Sequence, residues 1–386
     1  MIPDRIEIAV VGAGPAGSTA AAALARRGRD VVLVERDRFP RDKVCGEFLS
    51  PESLDAFERL GCRPVFEELD PPPMDRTRLS LVDGPTVELK LPGRARGLSR
   101  RRLDKMLFDH AADCGVRCID GADVRQIESI PGGGRRLEVR IDGDSTSIRA
   151  DVVVAAYGRR TRLDRRLERP FFERRSPFVA FKRHHRVVDD AGAPTLDGVV
   201  ELHAFDGGYC GVSYVEDDTV NVCTMFRREL LDAGDVDGPR FWEWLGRGND
   251  ALARRLSTLR PREGTETCAV AQIPMTTKGL TTGDDLLYVG DAAGMIAPLA
   301  GDGQAMAMES GIALARLLDA HLPEVPRRRW NLVWRRRYEP RIRLGRWLQK
   351  AMIRPSIAKP ALRVLEAAPA MGRRLVAWTR GSTSMG

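Results

Sequence analysis

Apolar residues in this chain fall into short β-branched runs, separated by glycine turns and by longer stretches of helical spacing, so strands and helices alternate. Ile6-Glu7-Ile8-Ala9-Val10-Val11 reads as a buried strand. The alanine-rich segment Ser18 to Arg26 reads as a helix stopped at Gly28, and Val31 to Val34 as a second strand that finishes at Glu35. Pro51 to Leu60 predicts a helix with Ser50 as N-cap and Pro51 in the first position. Thr77 to Leu91 alternates (Leu79, Leu81, Val87, Leu89, Leu91) around Asp83-Gly84 and predicts a hairpin.

Ser99 opens a helix that ends before Gly115, and Val116 to Ile119 and Val124 to Ile130 are strand-like. Leu137 to Ile141 and Ser147 to Arg149 predict a second hairpin, and Asp151 to Ala156 a buried strand. Between Ser176 and Phe226 four strands (Phe178–Val188, Val199–Phe205, Tyr209–Val215, Thr219–Phe226) are joined by glycine and aspartate turns, the pattern of an antiparallel sheet. A helix is expected near Pro239 to Leu256, then a return strand at Ala269 to Ile273. Leu286 to Val289 predicts another buried strand, and a helix runs from the following glycines to Leu322.

The first of these units carries the most specific chemistry. Gly12, Gly14 and Gly17 stand in G-x-G-x-x-G spacing between strand and helix, with Ala13, Pro15 and Ala16 filling the motif. Such a turn lets the backbone approach a pyrophosphate, and the helix N-terminus offers free N–H groups and a positive dipole. Glu35 ends the next strand, where a carboxylate accepts ribose hydroxyls. An adenine dinucleotide is expected here. A second turn, Gly290-Asp291-Ala292-Ala293-Gly294 followed by Gly301-Asp302-Gly303-Gln304, again places glycine and aspartate between strand and helix. A nicotinamide dehydrogenase has no need of it, whereas a flavin dinucleotide with a long ribityl-pyrophosphate stem does.

With 386 residues the chain has room for two domains or one two-lobed unit. Seven cysteines without a CxxC pair or Cys/His cluster suggest reduced thiols, no metal site and a cytoplasmic protein without a targeting segment. The net charge of +8 is concentrated after Pro326, in Arg327-Arg328-Arg329-Trp330 and Trp334-Arg335-Arg336-Arg337-Tyr338, then Arg341, Arg343, Arg346-Trp347 and Lys350. One reading is a basic amphipathic face for peripheral contact with anionic lipid; the other is a capping helical segment with a solvated basic face. No recognition motif accompanies the charge, so nucleic acid is not an expected partner.

As a set, these motifs resemble the FAD-dependent monooxygenases of the aromatic hydroxylase type, and within them the branch holding geranylgeranyl reductases and flavin halogenases. The resemblance runs from Ile6 to about Leu318, on GAGPAG with Glu35, Lys43-Val44-Cys45-Gly46, Arg100-x-x-Leu103-Asp104 and GDAAG with Pro298 to Ala305. It implies an α/β architecture: a Rossmann-like FAD-binding fold from segments 1–75, 99–175 and 276–322. A substrate domain is expected from the hairpin 76–98 and an antiparallel sheet over 176–275, with a basic helical region over 323–386. It further implies that Glu35 and Arg36 hold the adenosine ribose, and that Val44, Cys45 and Gly46 line the isoalloxazine. Arg100 would contact the cofactor and Val124 reach the adenine through its backbone. Gly290 and Asp291 would hold the ribityl-pyrophosphate, and Gly301, Gly303 and Gln304 would lie over the ring.

Two departures from the family matter. Tyr157 stands where the hydroxylases carry the aspartate of an Asp-Gly motif, which weakens direct reduction by NAD(P)H while leaving it a candidate donor. Gly208-Tyr209-Cys210-Gly211 occupies a place comparable to a tryptophan-containing halogenase motif, which argues against halogenation. Cys45 beside the ring is a proton donor or a small packed residue, and Tyr209 lines the substrate cavity or is an ordinary sheet aromatic. His203 reads as structural and His184-His185 as pointing to opposite faces of a strand. The expected activity is hydroxylation of a hydrophobic aromatic or polyketide-like molecule through a flavin C4a-hydroperoxide. The alternatives are reduction of C=C bonds in an isoprenoid or polyketide-like substrate, supported by Cys45-Gly46 and the lost aspartate, and a non-catalytic flavin-binding protein.

Overall fold

The β-branched runs and glycine turns form two sheets. The computed structural model describes residues 4–82, 84, 86–188, 193–232, 240–280, 286–322 and 326–367; Asp83, Pro239 and everything beyond 367 in the expected tail lie outside them. The first sheet runs Arg117–Ile119, Val31–Val34, Arg5–Val11, Asp144–Ala155, Arg135–Ile141, Ala122–Ser129, with Leu287–Tyr288 also paired to Asp144–Ala155. Its central pairs are parallel, Val10 opposite Leu33 on one side and Val154 on the other. Ile8, Ala9 and Val10 are fully buried because helices cover both faces.

Two elements differ from expectation here. Ser147–Arg149 and Asp151–Ala156 are one strand, Asp144–Ala155. Its first half pairs antiparallel with Arg135–Ile141 and its second half parallel with Arg5–Val11, so a change of partner rather than a break separates the halves. The helix expected up to Leu256 is two, Arg240–Gly246 and Asp250–Ser257, because Asn249 caps the second through Leu252 N–H.

Among the described residues the second sheet has nine strands. Phe178–Val187, Thr219–Arg227, Gly208–Val215 and Gly198–Phe205 are antiparallel neighbours, as their turns predicted. Gly198–Phe205 then pairs parallel with Pro73–Ser80, so the sheet is mixed rather than wholly antiparallel. The long crossover through the cofactor domain between these two strands permits that arrangement. Period-two alternation separates the sheet's faces. Cys210, Val212, Val222 and Phe226 pack under Phe241, Leu245 and Leu252, whereas Tyr209, Met225 and Ala180 face Met295 and Leu299 of the cofactor domain.

The basic C-terminal segment folds onto the cofactor domain as helices Arg327–Arg337, Glu339–Met352 and Pro355–Ala367. Trp330, Trp334 and Tyr338 are buried, and Trp330 Nε1 donates to the Tyr288 carbonyl at 2.9 Å. This stretch of the apolar stripe is therefore an internal packing face. Trp347 is different: it stays 62% exposed.

His185 supplies a pH-dependent term. Burial pushes its imidazole down to about 4, with Arg183 and His184 adding to the effect, while Nδ1 lies 3.1 Å from the Arg183 carbonyl oxygen. The unfolded chain takes up that proton near pH 6.5 and the folded one does not, so stability falls as pH drops from about 6.5 to about 4. The total is on the order of 3 kcal/mol. His185→Gln should flatten that part of the stability–pH curve in urea unfolding, and an unchanged slope would refute it.

Candidate active site

The dinucleotide turn is built as its glycines require. Gly12 sits at φ 101 with its N–H on the Val34 carbonyl at 2.8 Å, and a Cβ there would meet the Ala156 carbonyl oxygen at 2.5 Å. The helix Pro15–Ala25 starts from Gly14 with no side chain capping it, so its first N–H groups face outward for an anion. Glu35 is buried at the end of the second strand; Oε2 accepts the Ala13 N–H at 2.8 Å and Arg41 at 3.2 Å, and Oε1 accepts the Asp37 N–H at 3.1 Å. Arg41 also reaches Asp104, which holds Arg100 through two short bonds of 2.7 and 2.6 Å.

The second turn meets the first. A Cβ on Gly290 would lie 2.6 Å from the Ala16 Cβ. Buried Arg169 braces this turn by donating to the Ala292 carbonyl at 2.6 Å. Gly301, at φ 66, sits against the Phe48 ring, and the helix Gly303–Asp319 starts directly after Asp302. Gln304 Nε2 donates to Cys45 Sγ at 3.2 Å, while Gln304 Oε1 is buried without a protein partner. An unsatisfied buried acceptor over an open glycine turn is what a cofactor edge with a donor would complete.

A family model described as an FAD binding domain matches residues 5–329. The chain belongs to that family. It is an FAD-dependent oxidoreductase. Menaquinone reductase of Mycolicibacterium smegmatis is 29% identical over 330 residues, covering 81% of this chain and 76% of that protein. Digeranylgeranylglycerophospholipid reductase 2 of Methanopyrus kandleri is 28% identical over 312 residues, covering 78% and 73%. Among solved structures, a myxobacterial chondrochloren halogenase superposes with a TM-score of 0.78 at 21% identity, over 96% of this chain and 91% of that one, a likeness of fold.

Both glycine turns, the Glu35 carboxylate and the free Gln304 acceptor fit an FAD stretched between them. An added Cβ on Gly14 would lie 3.8 Å from Arg100, one on Gly290 would meet Ala16, and Gln304 bonds Cys45, so the two turns, Arg100 and the Cys45 loop come together as a candidate cofactor groove. Arg36 points to Asp37 at 3.2 Å rather than toward Glu35. Val124 lies in the strand Ala122–Ser129, where a register shift separates it from Gln126. Tyr157, at the lost aspartate, hydrogen-bonds Asp164 at 3.2 Å, and its turn is held by Lys278, whose ammonium donates to the Arg159 carbonyl. Burial pushes that ammonium down to about 7.

Several residues of the site carry no local signal in the sequence. Glu47 is fully buried at φ 54; its carboxylate takes Lys182 at 2.8 Å, His184 at 2.6 Å and the Arg100 N–H at 2.9 Å. Glu47 N–H in turn donates to Cys45 Sγ at 3.4 Å. Asp302 accepts from Ser50 Oγ at 3.3 Å and pairs with Arg341 of the C-terminal helices, so Ser50 bonds across the fold instead of capping its own helix. Arg159 and Arg100 bring two guanidiniums to the neighbourhood of Cys45. His203 is absorbed in a buried chain with Ser80 at 2.7 Å and Glu201 at 3.1 Å, away from this groove.

No helix among the described residues is long and apolar enough to cross a membrane.

Proposed function

We propose that this protein is a flavin-dependent reductase that saturates a C=C bond in a polyisoprenoid lipid. The observation that carries the reading is the match along more than two thirds of both chains to two reductases, one of menaquinone and one of a digeranylgeranyl glycerophospholipid. Both names denote lipids with polyisoprenoid chains. Hydroxylation, first on general resemblance, has no comparable support. The wall facing the cofactor groove suits an apolar chain: Tyr209, Met225, Ile273, Met295 and Leu299 cluster there with Val44 beside them.

When bound, FAD supplies two-electron redox chemistry, and saturation adds one hydride and one proton across the alkene. In this reading Gly12 to Gly17 and Glu35 hold the adenine half, and Asp291 with Gly301 to Gln304 hold the flavin half. Cys45 Sγ fixes the Gln304 amide and so acts as a positioning residue. Tyr209 keeps its proton on Oη, because burial, with Cys223, Cys210 and Cys45 nearby, raises its phenol well above 10. The methionines and leucine exclude water from the substrate side. Exposed Trp347, Leu332 and Ile357 beside the C-terminal arginines support peripheral contact with a lipid surface that presents such substrates.

The test reduces the FAD-loaded protein with dithionite under nitrogen, which bypasses the question of NAD(P)H, and then supplies menaquinone or a geranylgeranyl phospholipid. The expected result is flavin reoxidation with a product heavier by two hydrogens in its isoprenoid chain; with menaquinone that gain must persist after the ring is reoxidised in air, because reduction to the quinol also adds two hydrogens. Turnover only with oxygen, with one oxygen atom entering the product, would sink the reductase reading in favour of hydroxylation. Flavin that stays reduced with either lipid and with air excluded would count against it as well.

A further inference from the structure

A second charged recess lies at the far end of the cofactor domain. Three helices, Pro15–Ala25, Pro51–Leu60 and Gly303–Asp319, bring their C-terminal halves together there. The recess is an open concavity of about 290 Å³, with the exposed Arg26, Arg27, Arg59 and Arg316 around an apolar floor that includes Ala23 and Ile312. At 1.5 Å rise per residue, Arg26 is about 18 Å along the helix from Gly14, so this place is separate from the dinucleotide turn.

Protein groups balance the charge there only in part: Arg27 donates to the Ala23 carbonyl at 2.6 Å. Arg27 approaches Asp319 at 3.7 Å, but that carboxylate is engaged more closely by Arg29 at 2.9 Å. Among the described residues, Arg26, Arg59 and Arg316 have no carboxylate within ion-pair distance. Burial, then Arg59, Arg27 and Arg337, disfavour the charged form of Arg316. Helix C-termini attract cations, each end offering about half a negative charge. Three ends plus a shared Asp319 fall short of four guanidiniums, so helix dipoles alone do not account for the cluster. Guanidinium forks match phosphate oxygens two at a time, and several in one concavity suit a multivalent oxyanion.

We propose that this recess binds a phosphate-bearing anion, a phosphomonoester or diphosphate group presented by a soluble molecule or by a lipid headgroup. The site is independent of the reductase reading and of the flavin groove.

The FAD-loaded protein is titrated with inorganic pyrophosphate at low ionic strength by calorimetry, and sedimented with phosphatidylcholine vesicles that contain phosphatidic acid, whose headgroup is a phosphomonoester. The comparison is the Arg59→Gln/Arg316→Gln double variant, equally FAD-loaded. A soluble source predicts one saturable pyrophosphate site weakened at least about tenfold in the variant. A headgroup source predicts that vesicle binding, without pyrophosphate binding, is weakened to the same degree. Binding of both probes that the variant leaves unchanged, or no binding of either, overturns the proposal. Unfolding midpoints keep the result readable if the variant is damaged: pyrophosphate or vesicles should raise the parent midpoint and leave the variant's unmoved. The unliganded variant should unfold no lower than the parent, since like charges have been removed. A lower variant midpoint with unchanged probe affinity identifies the arginines as helix-end supports and refutes the site.

Discussion

A Gly17→Ala variant is expected to purify almost free of flavin. An added Cβ would stand 1.8 Å from the Gly12 carbonyl oxygen and 3.0 Å from the Ala156 Cβ. Neither neighbour can give way cheaply. Gly12 is pinned to Val34 at 2.8 Å, and Ala156 donates to the Val11 carbonyl at 2.8 Å, so both belong to the central sheet. The helix must therefore move away from the strand, and its N–H groups move with it from the pyrophosphate position. Overpacking of this kind costs about 1–3 kcal/mol, and at the upper end FAD binding weakens about 100-fold. Gly28→Ala, in the same unit, is the control. Its Cβ would meet nothing within 4 Å, so only the φ of 77 is strained and flavin content should stay near that of the parent. Flavin-to-protein ratio and titration of the apoprotein with FAD measure the difference; a Gly17→Ala protein that retains full flavin contradicts this account of the turn.

Replacing Glu47 by alanine is expected to cost about 3–5 kcal/mol, because it leaves Lys182 as a buried cation with a single remaining partner. That partner, Asp42, lies 3.0 Å away and is itself half-exposed, while Lys182 is 2% exposed. The Arg100 N–H and His184 lose their acceptor in the same step. Glu47 also holds a left-handed backbone conformation that a non-glycine residue adopts only when its surroundings enforce it. Without the carboxylate the Cys45-Gly46 loop should relax and flavin occupancy should fall along with stability. The double variant Glu47→Leu/Lys182→Met removes both charges and should recover most of the loss in urea unfolding. If the double variant is as unstable as the single, the interaction is not an electrostatic one, and the loop geometry alone explains Glu47.

Short-range physics made much of this protein legible in its chain. The G-x-G-x-x-G turn, Glu35 at the next strand end, the helix Pro51–Leu60 and the strands between Phe178 and Arg227 depend on local alternation, turn residues and helix signals, all written within a few positions. The same locality explains the misreadings. Nothing near Ser147 indicates that one strand will change partners midway, and nothing near Val199 that its neighbour will be the parallel strand Pro73–Ser80 from a much earlier segment. The amphipathic stripe at Trp330 and Trp334 has the same period whether it meets lipid or the protein's own core, and only packing on Tyr288 decided between them. Glu47 with Lys182 and His184, and Asp302 with Arg341, join residues far apart in sequence. A buried charge is tolerated only where its partner arrives in space, so these pairings are properties of the folded chain and have no counterpart in spacing.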